Sequence, residues 1–235
     1  TWVDPLAEDN CDLEPLFCSA NSGDFFPAGP APTTVTCAIS DLSGNNATCS
    51  FSVLVRDTVA PNLVCPSGLV VETDPGECGA IVNGLEPLEL SDNCSEAFLS
   101  YNIQINTTGA GNGDASGEFF NLGGSLVTYF ASDESGNDAS CSFTVAVVDT
   151  EAPVIECPND TIFEAAPNEF TTLVNGVDPV ISDNCTIVDT SYVLTGATSG
   201  SGSGFLDTLL TFGVTNVTYL ITHQGGNVDS CSFEV

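Results

Sequence analysis

The chain has 235 residues, of which 32 are Asp or Glu and only one, Arg56, is Lys or Arg, so the formal net charge is −31. Contacts to phosphate groups need Lys and Arg, which excludes nucleic acid as a partner. The hydrophobic content of 42%, with 22 Gly and 13 Pro, is typical of a folded, turn-rich protein. No apolar run is long enough for a membrane helix and no signal peptide is visible, so we expect a mature segment without membrane insertion.

A thirteen-residue pattern occurs three times along the chain. The copies read ISDLSGNNATCSF at 39–51, ASDESGNDASCSF at 131–143 and ITHQGGNVDSCSF at 221–233. The spacing between copies matches the length of one small globular domain and exceeds the roughly 20–50 residues of a solenoid repeat. Two further motifs keep the same register, D-T-x-A-P at 57–61 and 149–153, and D-N-C at 9–11, 92–94 and 183–185.

This register predicts three domains. Residues 1–56 form a partial repeat without its first strands, residues 57–148 a complete repeat, and residues 149–235 a nearly complete one. In the partial repeat we expect an open sheet edge and uncovered apolar positions around Val35 and Phe51. Either the same polypeptide continues upstream, or a segment of a neighbouring subunit completes the fold by strand addition.

Short β-strands are predicted throughout. SGLVVETD (67–74), GAIVNGL (79–85), GSLVTYFAS (124–132) and CSFTVAVVD (141–149) are rich in Val, Thr, Phe and Tyr and alternate apolar with polar positions. The S-G-N turn between the last two runs predicts a hairpin in which Gly136 adopts a positive φ. Many short strands with regular turns predict an all-β fold of tandem immunoglobulin-like β-sandwich domains arranged end to end.

The ordered motifs D-T-x-A-P, C-P, D-N-C, V-T-Y, D-x-S-G-N and C-S-F closely resemble the hyalin repeat, an immunoglobulin-like extracellular module. The resemblance covers the whole chain. It implies a secreted or cell-surface module, usually in tandem, that serves adhesion and matrix building without enzymatic activity. The third unit departs from the pattern, because His223 and Gln224 stand where the second has Asp133 and Glu134.

Eleven cysteines indicate an oxidising, extracellular environment. In sandwiches of this type the first and last strands lie side by side, so we expect Cys65–Cys141 and, in the same register, Cys157–Cys231. The other two cysteines of the second unit, Cys78 and Cys94, are expected to pair, as are Cys18 and Cys37, which are private to the first unit. Cys11, Cys49 and Cys185 lack an obvious partner. A catalytic thiol at Cys185 is disfavoured, because no Lys or Arg is available to activate it.

The acidic motifs admit two interpretations. Their Asp side chains are ordinary turn and cap residues that accept hydrogen bonds from nearby backbone N–H groups, or they converge at one pole of each sandwich on Ca²⁺, which takes 6–8 oxygen ligands. Bound cations would also offset an acidic surface that repels itself. The candidate calcium ligands are Asp9, Asp41, Asp57, Asp92, Asn93, Asp133, Asn137, Asp149, Asp183 and Asn184.

Asn-x-Ser/Thr sequons predict N-glycosylation of a secreted chain. In the sequons at Asn93 and Asn184 a structural role competes, because both lie inside D-N-C. The remaining candidates are Asn46, Asn106, Asn159 and Asn216.

No set of residues supports catalysis, since the chain has one His, no Ser/His/Asp set with plausible roles and no phosphate-binding glycine loop. We therefore predict a non-enzymatic extracellular structural or adhesive repeat protein that forms or extends a fibre, matrix or adhesin stalk, stiffened by calcium. Its partners would be neighbouring copies or repeats of the same protein, and extracellular matrix or glycans. The alternative is a surface adhesin module whose loops bind glycan or protein ligands, and a groove of exposed aromatic residues would favour it.

Overall fold

The computed structural model describes residues 1–235 and consists of β-strands and loops. The first repeat contains β1 (Phe17–Cys18), β2 (Thr33–Ser40) and β3 (Asn46–Val53). The second contains β4 (Asn62–Val64), β5 (Leu69–Glu72), β6 (Gly79–Val82), β7 (Glu89–Ser91), β8 (Phe98–Ile105), β9 (Gly109–Asn112), β10 (Glu118–Asn121), β11 (Gly123–Ser132) and β12 (Asp138–Val148). The third contains β13 (Val154–Glu156), β14 (Thr171–Val174), β15 (Val180–Ser182), β16 (Ile187–Gly196), β17 (Gly200–Ser203), β18 (Thr208–Thr211), β19 (Thr215–His223) and β20 (Val228–Glu234).

The second and third repeats share one sheet plan. In the second, a large sheet has the order β5-β12-β11-β8-β9, and two small sheets pair β6 with β10 and β4 with β7. In the third, the large sheet has the order β17-β16-β19-β20, and the small sheets pair β14 with β18 and β13 with β15. Strand β5 runs parallel to β12, whereas the two small pairs of the second repeat and all the pairs of the third repeat are antiparallel. The all-β, immunoglobulin-like fold predicted from the sequence is confirmed.

Side-chain alternation explains why these segments are strands. Along β11 the buried side chains are Ser125, Val127, Tyr129 and Ala131, with partly or fully exposed residues between them. Successive side chains of a strand point to opposite faces, so this period-two pattern directs one face into the core. The same pattern recurs in β19, whose buried residues run from Thr215 to His223. The hairpin between β11 and β12 turns at Gly136, whose φ is 85°, as the S-G-N motif predicts.

Contacts between Cα atoms group the chain into two compact units. Unit 1 consists of Thr1–Cys65, Pro87–Ser100 and Tyr129–Cys141, and unit 2 of Pro66–Glu86, Tyr101–Thr128 and Ser142–Val235. The division passes through β8, β11 and β12, so it does not follow the sequence repeats. The domain boundaries at residues 57 and 149 therefore stay a prediction.

The first repeat forms a single three-stranded antiparallel sheet, β1-β2-β3. Val35 was expected to be uncovered, but it is fully buried, and Phe51 is half-buried. Aromatic residues supply part of the cover, because the Trp2 ring lies 5.2 Å from that of Phe51 and 5.7 Å from that of Phe26, edge-on in both cases. The expectation was therefore wrong for Val35, and the ring packed against Phe51 comes from Trp2, in the segment that precedes β1.

Four disulfides join Cys18 to Cys37, Cys65 to Cys141, Cys157 to Cys231 and Cys78 to Cys185. The last bond corrects the expected pairing of Cys78 with Cys94, and Cys94 is free and exposed. It also gives Cys185, which had no expected partner, a partner in the preceding repeat. Cys11 and Cys49 are free. Four disulfides fit an extracellular protein, and the structure contains no helix with the length and apolarity needed to span a bilayer.

Candidate cation site

Three aspartates of the second repeat converge within unit 1. Asp57 lies in the segment between β3 and β4, Asp92 directly follows β7, and Asp133 directly follows β11. One carboxylate oxygen of each lies within 4.8 Å of the other two. Asp57 and Asp133 are buried, with relative exposures of 8% and 5%, and Asp92 is half-buried. The structure thus brings the aspartates of the linker, D-N-C and D-x-S-G-N motifs of this repeat together, and their binding of a cation stays a prediction.

Backbone and amide donors hold each carboxylate in place. Asp57 Oδ1 accepts a hydrogen bond from the Val59 N–H at 3.1 Å, and Asp92 Oδ2 accepts one from the Cys94 N–H at 2.9 Å. Asp133 Oδ1 accepts from the Asn137 N–H at 2.8 Å, and its Oδ2 accepts from Asn137 Nδ2 at 2.7 Å. Asn137 Nδ2 also lies 3.3 Å from the Asp57 carbonyl oxygen, so this amide fastens the hairpin turn to the linker. The hydrogen bonds expected of turn and cap residues are therefore present.

Turn chemistry leaves part of the cluster unexplained. Asp57 Oδ2 and Asp92 Oδ1 are buried and have no hydrogen-bond partner. A buried polar atom without a partner costs free energy, and three carboxylates this close repel one another. The chain's single Arg or Lys, Arg56, is exposed. The cluster thus has oxygen atoms available for a cation and no basic side chain buried among them.

The surroundings of the cluster shift the pKa of two groups, Asp133 and Cys94. Burial raises the pKa of Asp133, but hydrogen bonds from the Asn137 side chain and backbone outweigh it and hold the pKa below its usual value. Desolvation, then a hydrogen bond to Asp57 and the negative charges of Asp57, Asp92 and Asp133, raise the pKa of the Cys94 thiol. The aspartate that closes the hairpin is therefore held ionised, and the thiol beside it is held protonated.

The donor set fits a hard divalent cation. Carboxylate oxygens are the ligands that Ca²⁺ prefers, and Ca²⁺ tolerates the irregular geometries that loops provide. Asn93, also predicted as a ligand, is exposed, and its Nδ2 donates to Cys94 Sγ at 2.9 Å. Asn137 uses its amide nitrogen in the contacts described above. Asp57, Asp92 and Asp133 are thus the residues that the structure brings together.

In the third repeat the corresponding residues are Asp149, Asp183 and His223, all in unit 2. His223 Nδ1 lies 3.6 Å from Asp149 Oδ2 and 3.8 Å from Asp183 Oδ2, and all three side chains are buried. The Gly225 N–H donates to Nδ1 at 2.9 Å and the Asn227 N–H points at Nε2 at 3.3 Å. The Cys185 sulfur beside this group is bonded to Cys78 and offers no thiolate. The imidazole takes the place of a carboxylate, so this group has one negative charge fewer.

The first repeat has no such convergence. Asp41 Oδ1 accepts from the N–H groups of Ser43 and Asn45, and its Oδ2 accepts from Asn45 Nδ2 at 2.7 Å. Asp9 is exposed and belongs to neither acidic group. The structure therefore does not support the predicted calcium ligands Asp9 and Asp41 as a third site, because the turn satisfies one carboxylate and the other lies apart.

An apolar groove of about 640 Å³ lies elsewhere in unit 2. Its lining includes Ile162, Phe170, Leu210, Phe212 and Val214, and Phe170 and Phe212 are 81% and 88% exposed. Large exposed apolar surfaces mark binding sites more often than isolated exposed residues do. No sequence motif marks these residues as a group. The only sequence signal was Phe170, which replaces the register equivalent of Cys78.

The glycosylation candidates lie at the surface. Asn46, Asn106 and Asn159 are exposed, which leaves their amides accessible. Asn216 is half-buried, and its Oδ1 accepts a hydrogen bond from Thr218 Oγ1 at 3.3 Å. Glycosylation of all four stays a prediction, and Asn216 is the least accessible of them.

A protein-family model described as the HYR domain matches residues 1–55, 56–147 and 148–235. Hyalin from Strongylocentrotus purpuratus is 32% identical over 241 residues, which cover 100% of this chain and 18% of the relative. Hyalin from Lytechinus variegatus is 32% identical over 242 residues, covering 100% of this chain and 42% of the relative. The chain thus spans less than half of either hyalin. Among solved structures, mouse cadherin-23 EC22-24 aligns with 87% of this chain and 74% of its own at 16% identity and a TM-score of 0.33.

Proposed function

Because the chain belongs to the HYR domain family, we propose that it is a non-enzymatic, secreted or cell-surface repeat segment that extends an adhesive fibre, matrix or stalk. The support is the match of the family model along the chain, the two hyalin relatives and the four disulfides. Its partners in this proposal are neighbouring repeats or copies of the same protein, and extracellular matrix or glycans.

The second repeat binds Ca²⁺ through Asp57, Asp92 and Asp133 in this proposal. One observation carries it: three carboxylates lie within 4.8 Å of one another, and two of their oxygens are buried without a partner. A divalent cation would satisfy those oxygens and offset the repulsion between the carboxylates. Turn residues that served only the backbone would not need to converge.

The same ion would stiffen the junction that Asp57 begins. Asp57 belongs to the segment between β3 and β4, whereas Asp92 and Asp133 close loops of the second repeat. An ion shared by the three side chains would tie that segment to the loops, and its removal would restore freedom to the segment. The chain would then resist bending in calcium and become flexible in chelator.

Calorimetric titration with CaCl₂ tests the proposal. We expect saturable binding that Asp57→Asn abolishes, whereas Asp9→Asn, a matched loss of one exposed carboxylate, leaves it unchanged. Small-angle scattering of the unsubstituted chain should show a more extended particle in calcium than in EDTA. Absence of saturable heat at millimolar calcium, or an equal loss of calcium binding in both variants, would mean that these aspartates serve only as turn residues.

A second candidate function is recognition of a ligand by the groove around Phe170 and Phe212. Exposed aromatic faces in a groove are the feature that favours the adhesin alternative, because such faces stack on the apolar faces of sugar rings. The test is a glycan array probed with the unsubstituted chain and with Phe170→Ala plus Phe212→Ala. The control is Phe98→Ala, which removes an exposed aromatic ring on β8 outside the groove. Glycan binding that persists in the double variant would contradict this role, and so would an equal loss of binding in the control.

A further inference from the structure

The D-N-C motif of the third repeat is bonded to the second repeat at two points. Cys185 forms a disulfide with Cys78, with the two Cα atoms 4.8 Å apart. Beside it, Asn184 Nδ2 donates to the Glu77 carbonyl oxygen at 3.1 Å. The motif thus engages the segment that precedes β6 through one covalent bond and one amide hydrogen bond.

The second repeat carries the same motif with the same local conformation. The Cys94 N–H donates to Asp92 Oδ2 at 2.9 Å, as the Cys185 N–H donates to Asp183 Oδ2 at 3.0 Å. Each cysteine also lies beside its linker aspartate, Asp57 for Cys94 and Asp149 for Cys185. The two motifs are therefore equivalent in sequence, in backbone hydrogen bonding and in the linker aspartate that lies beside the cysteine.

The two motifs differ in the partner of the cysteine. The Cys94 thiol is free and exposed, whereas Cys185 is bonded. Asn93 Nδ2 donates to Cys94 Sγ at 2.9 Å, while the equivalent Asn184 amide reaches another repeat's carbonyl oxygen. In the third repeat, Cys185 and Asn184 bind the neighbouring repeat. In the second repeat, the equivalent Cys94 and Asn93 have no such neighbour.

We propose that Asp92-Asn93-Cys94 is a covalent docking site for another repeat. Its partner is a segment equivalent to residues 72–83, ETDPGECGAIVN, whose cysteine bonds to Cys94 and whose preceding carbonyl oxygen accepts a hydrogen bond from Asn93. That segment comes from a further repeat of the same polypeptide or from a second copy of this chain. Cys11 ends the first repeat's D-N-C motif and takes the same kind of partner. The inference does not depend on calcium binding or on adhesion.

The bond forms by thiol–disulfide exchange with a small-molecule disulfide such as oxidised glutathione. The minor fraction of Cys94 that is present as thiolate attacks one glutathione sulfur, which gives a mixed disulfide and releases one glutathione thiolate. The partner's thiolate then attacks the Cys94 sulfur and releases the second glutathione. Two protein thiols are oxidised and one glutathione disulfide is reduced to two thiols, so the two protons lost by the protein thiols are taken up by the two glutathione thiolates.

The remaining free cysteine, Cys49, provides an internal control. It is the register equivalent of Cys141 and Cys231, which bond to the C-P cysteines Cys65 and Cys157. Cys49 is also free and exposed. If exposure alone decided reactivity, Cys49 and Cys94 would form disulfides with any cysteine peptide equally. A docking site at Cys94 predicts instead that the two cysteines prefer different peptides.

The first experiment incubates the oxidised chain with a synthetic 72–83 peptide in a glutathione redox buffer and maps the mixed disulfides by mass spectrometry. The control peptide is 61–72, PNLVCPSGLVVE, which carries the C-P cysteine. We expect the 72–83 peptide on Cys94 at least about tenfold more often than the control, and no such preference on Cys49. Asn93→Ala should lower the ratio of the 72–83 peptide to glutathione on Cys94 severalfold, whereas the corresponding ratio for the control peptide should not fall. Equal occupancy by the two peptides, or no effect of Asn93→Ala, would overturn the proposal.

The second experiment uses Cys185→Ser, which leaves Cys78 free within the whole chain. We expect disulfide-linked oligomers in which Cys78 of one copy bonds to Cys94 of the next. Adding Cys94→Ser should abolish them, and adding Cys49→Ser should not. A monomer with an intrachain Cys78–Cys94 bond would show that Cys94 serves its own repeat and would overturn the proposal. If Cys185→Ser fails to fold, the peptide experiment on the unsubstituted chain still decides.

Discussion

The substitution Asp92→Asn distinguishes a cation site from an acidic turn, because the two interpretations predict opposite changes in stability in the absence of calcium. The substitution removes one negative charge but keeps a side-chain oxygen that can accept the Cys94 N–H now bonded to Oδ2. The turn after β7 should survive. In EDTA the variant should therefore be more stable than the unsubstituted chain, since the repulsion within the cluster falls.

The magnitude follows from the separation. At the 4.8 Å limit between the ligand atoms of Asp57 and Asp92, one repelling pair is worth about 0.9 kcal/mol in water and about 3.5 kcal/mol at an effective dielectric constant of about 20. For a chain of this size each kcal/mol moves Tm by about 2–4 °C. Calcium at about 100 times its Kd would stabilise the unsubstituted chain by about 2.7 kcal/mol. The variant, with one ligand fewer, should gain much less.

The assay is thermal unfolding of both proteins in EDTA and in saturating calcium. We expect the order of Tm to reverse between the two buffers. Asp183→Asn is the matched control, because it makes the same change in net charge at the equivalent D-N-C motif beside His223. It leaves Asp57, Asp92 and Asp133 intact, so its gain in Tm on adding calcium should match that of the unsubstituted chain. A variant that is less stable than the unsubstituted chain in EDTA, together with an unchanged calcium response, would refute a shared cation and favour the turn interpretation.

Three further predictions concern stability and are measured by chemical denaturation. Tyr219→Phe should cost about 1–3 kcal/mol, because the buried hydroxyl accepts from the Leu206 N–H and donates to the Val177 carbonyl oxygen; unchanged stability would mean that water replaces the hydroxyl. Gly136→Ala should cost about 1–2 kcal/mol, because φ is positive there, whereas Gly124→Ala, also in open space but without a positive φ, should be nearly neutral; equal effects would contradict a conformational cause. Replacing both Cys65 and Cys141 by Ser should cost about 2–5 kcal/mol, and a smaller loss than that of Cys49→Ser would be inconsistent with this bridge.

The strands and the hairpin turn could be predicted because their causes are local. Alternation along 124–132 fixes which side chains enter the core, and the S-G-N turn needs a residue that tolerates positive φ. The grouping of the acidic residues could also be predicted, since repeats in register place equivalent loops at the same pole of each sandwich. Which oxygens remain without a partner depends on packing, and no sequence motif records it.

The bond between Cys78 and Cys185 could not be derived from repeat register. Register identifies equivalent positions in successive repeats, but it does not say that a position in one repeat lies beside a different position in the next. Phe170 in place of the equivalent cysteine left Cys185 unpaired, and that was the one available signal. The expected Cys78–Cys94 pair requires bonding within one repeat, whereas Cys78 bonds to Cys185 of the next repeat.

The bridges within the second and third repeats also determine how far the chain can be stretched. Cys65–Cys141 and Cys157–Cys231 bypass sequence separations of 76 and 74 residues, so force applied at the two chain ends would pass through sulfur instead of through those strands. Between the two bridges only residues 141–157 could lengthen, to at most about 55 Å at about 3.4 Å per residue. Reduction would release about 250 Å of additional contour length in each repeat. The redox state of the surroundings therefore sets the extensibility of the chain.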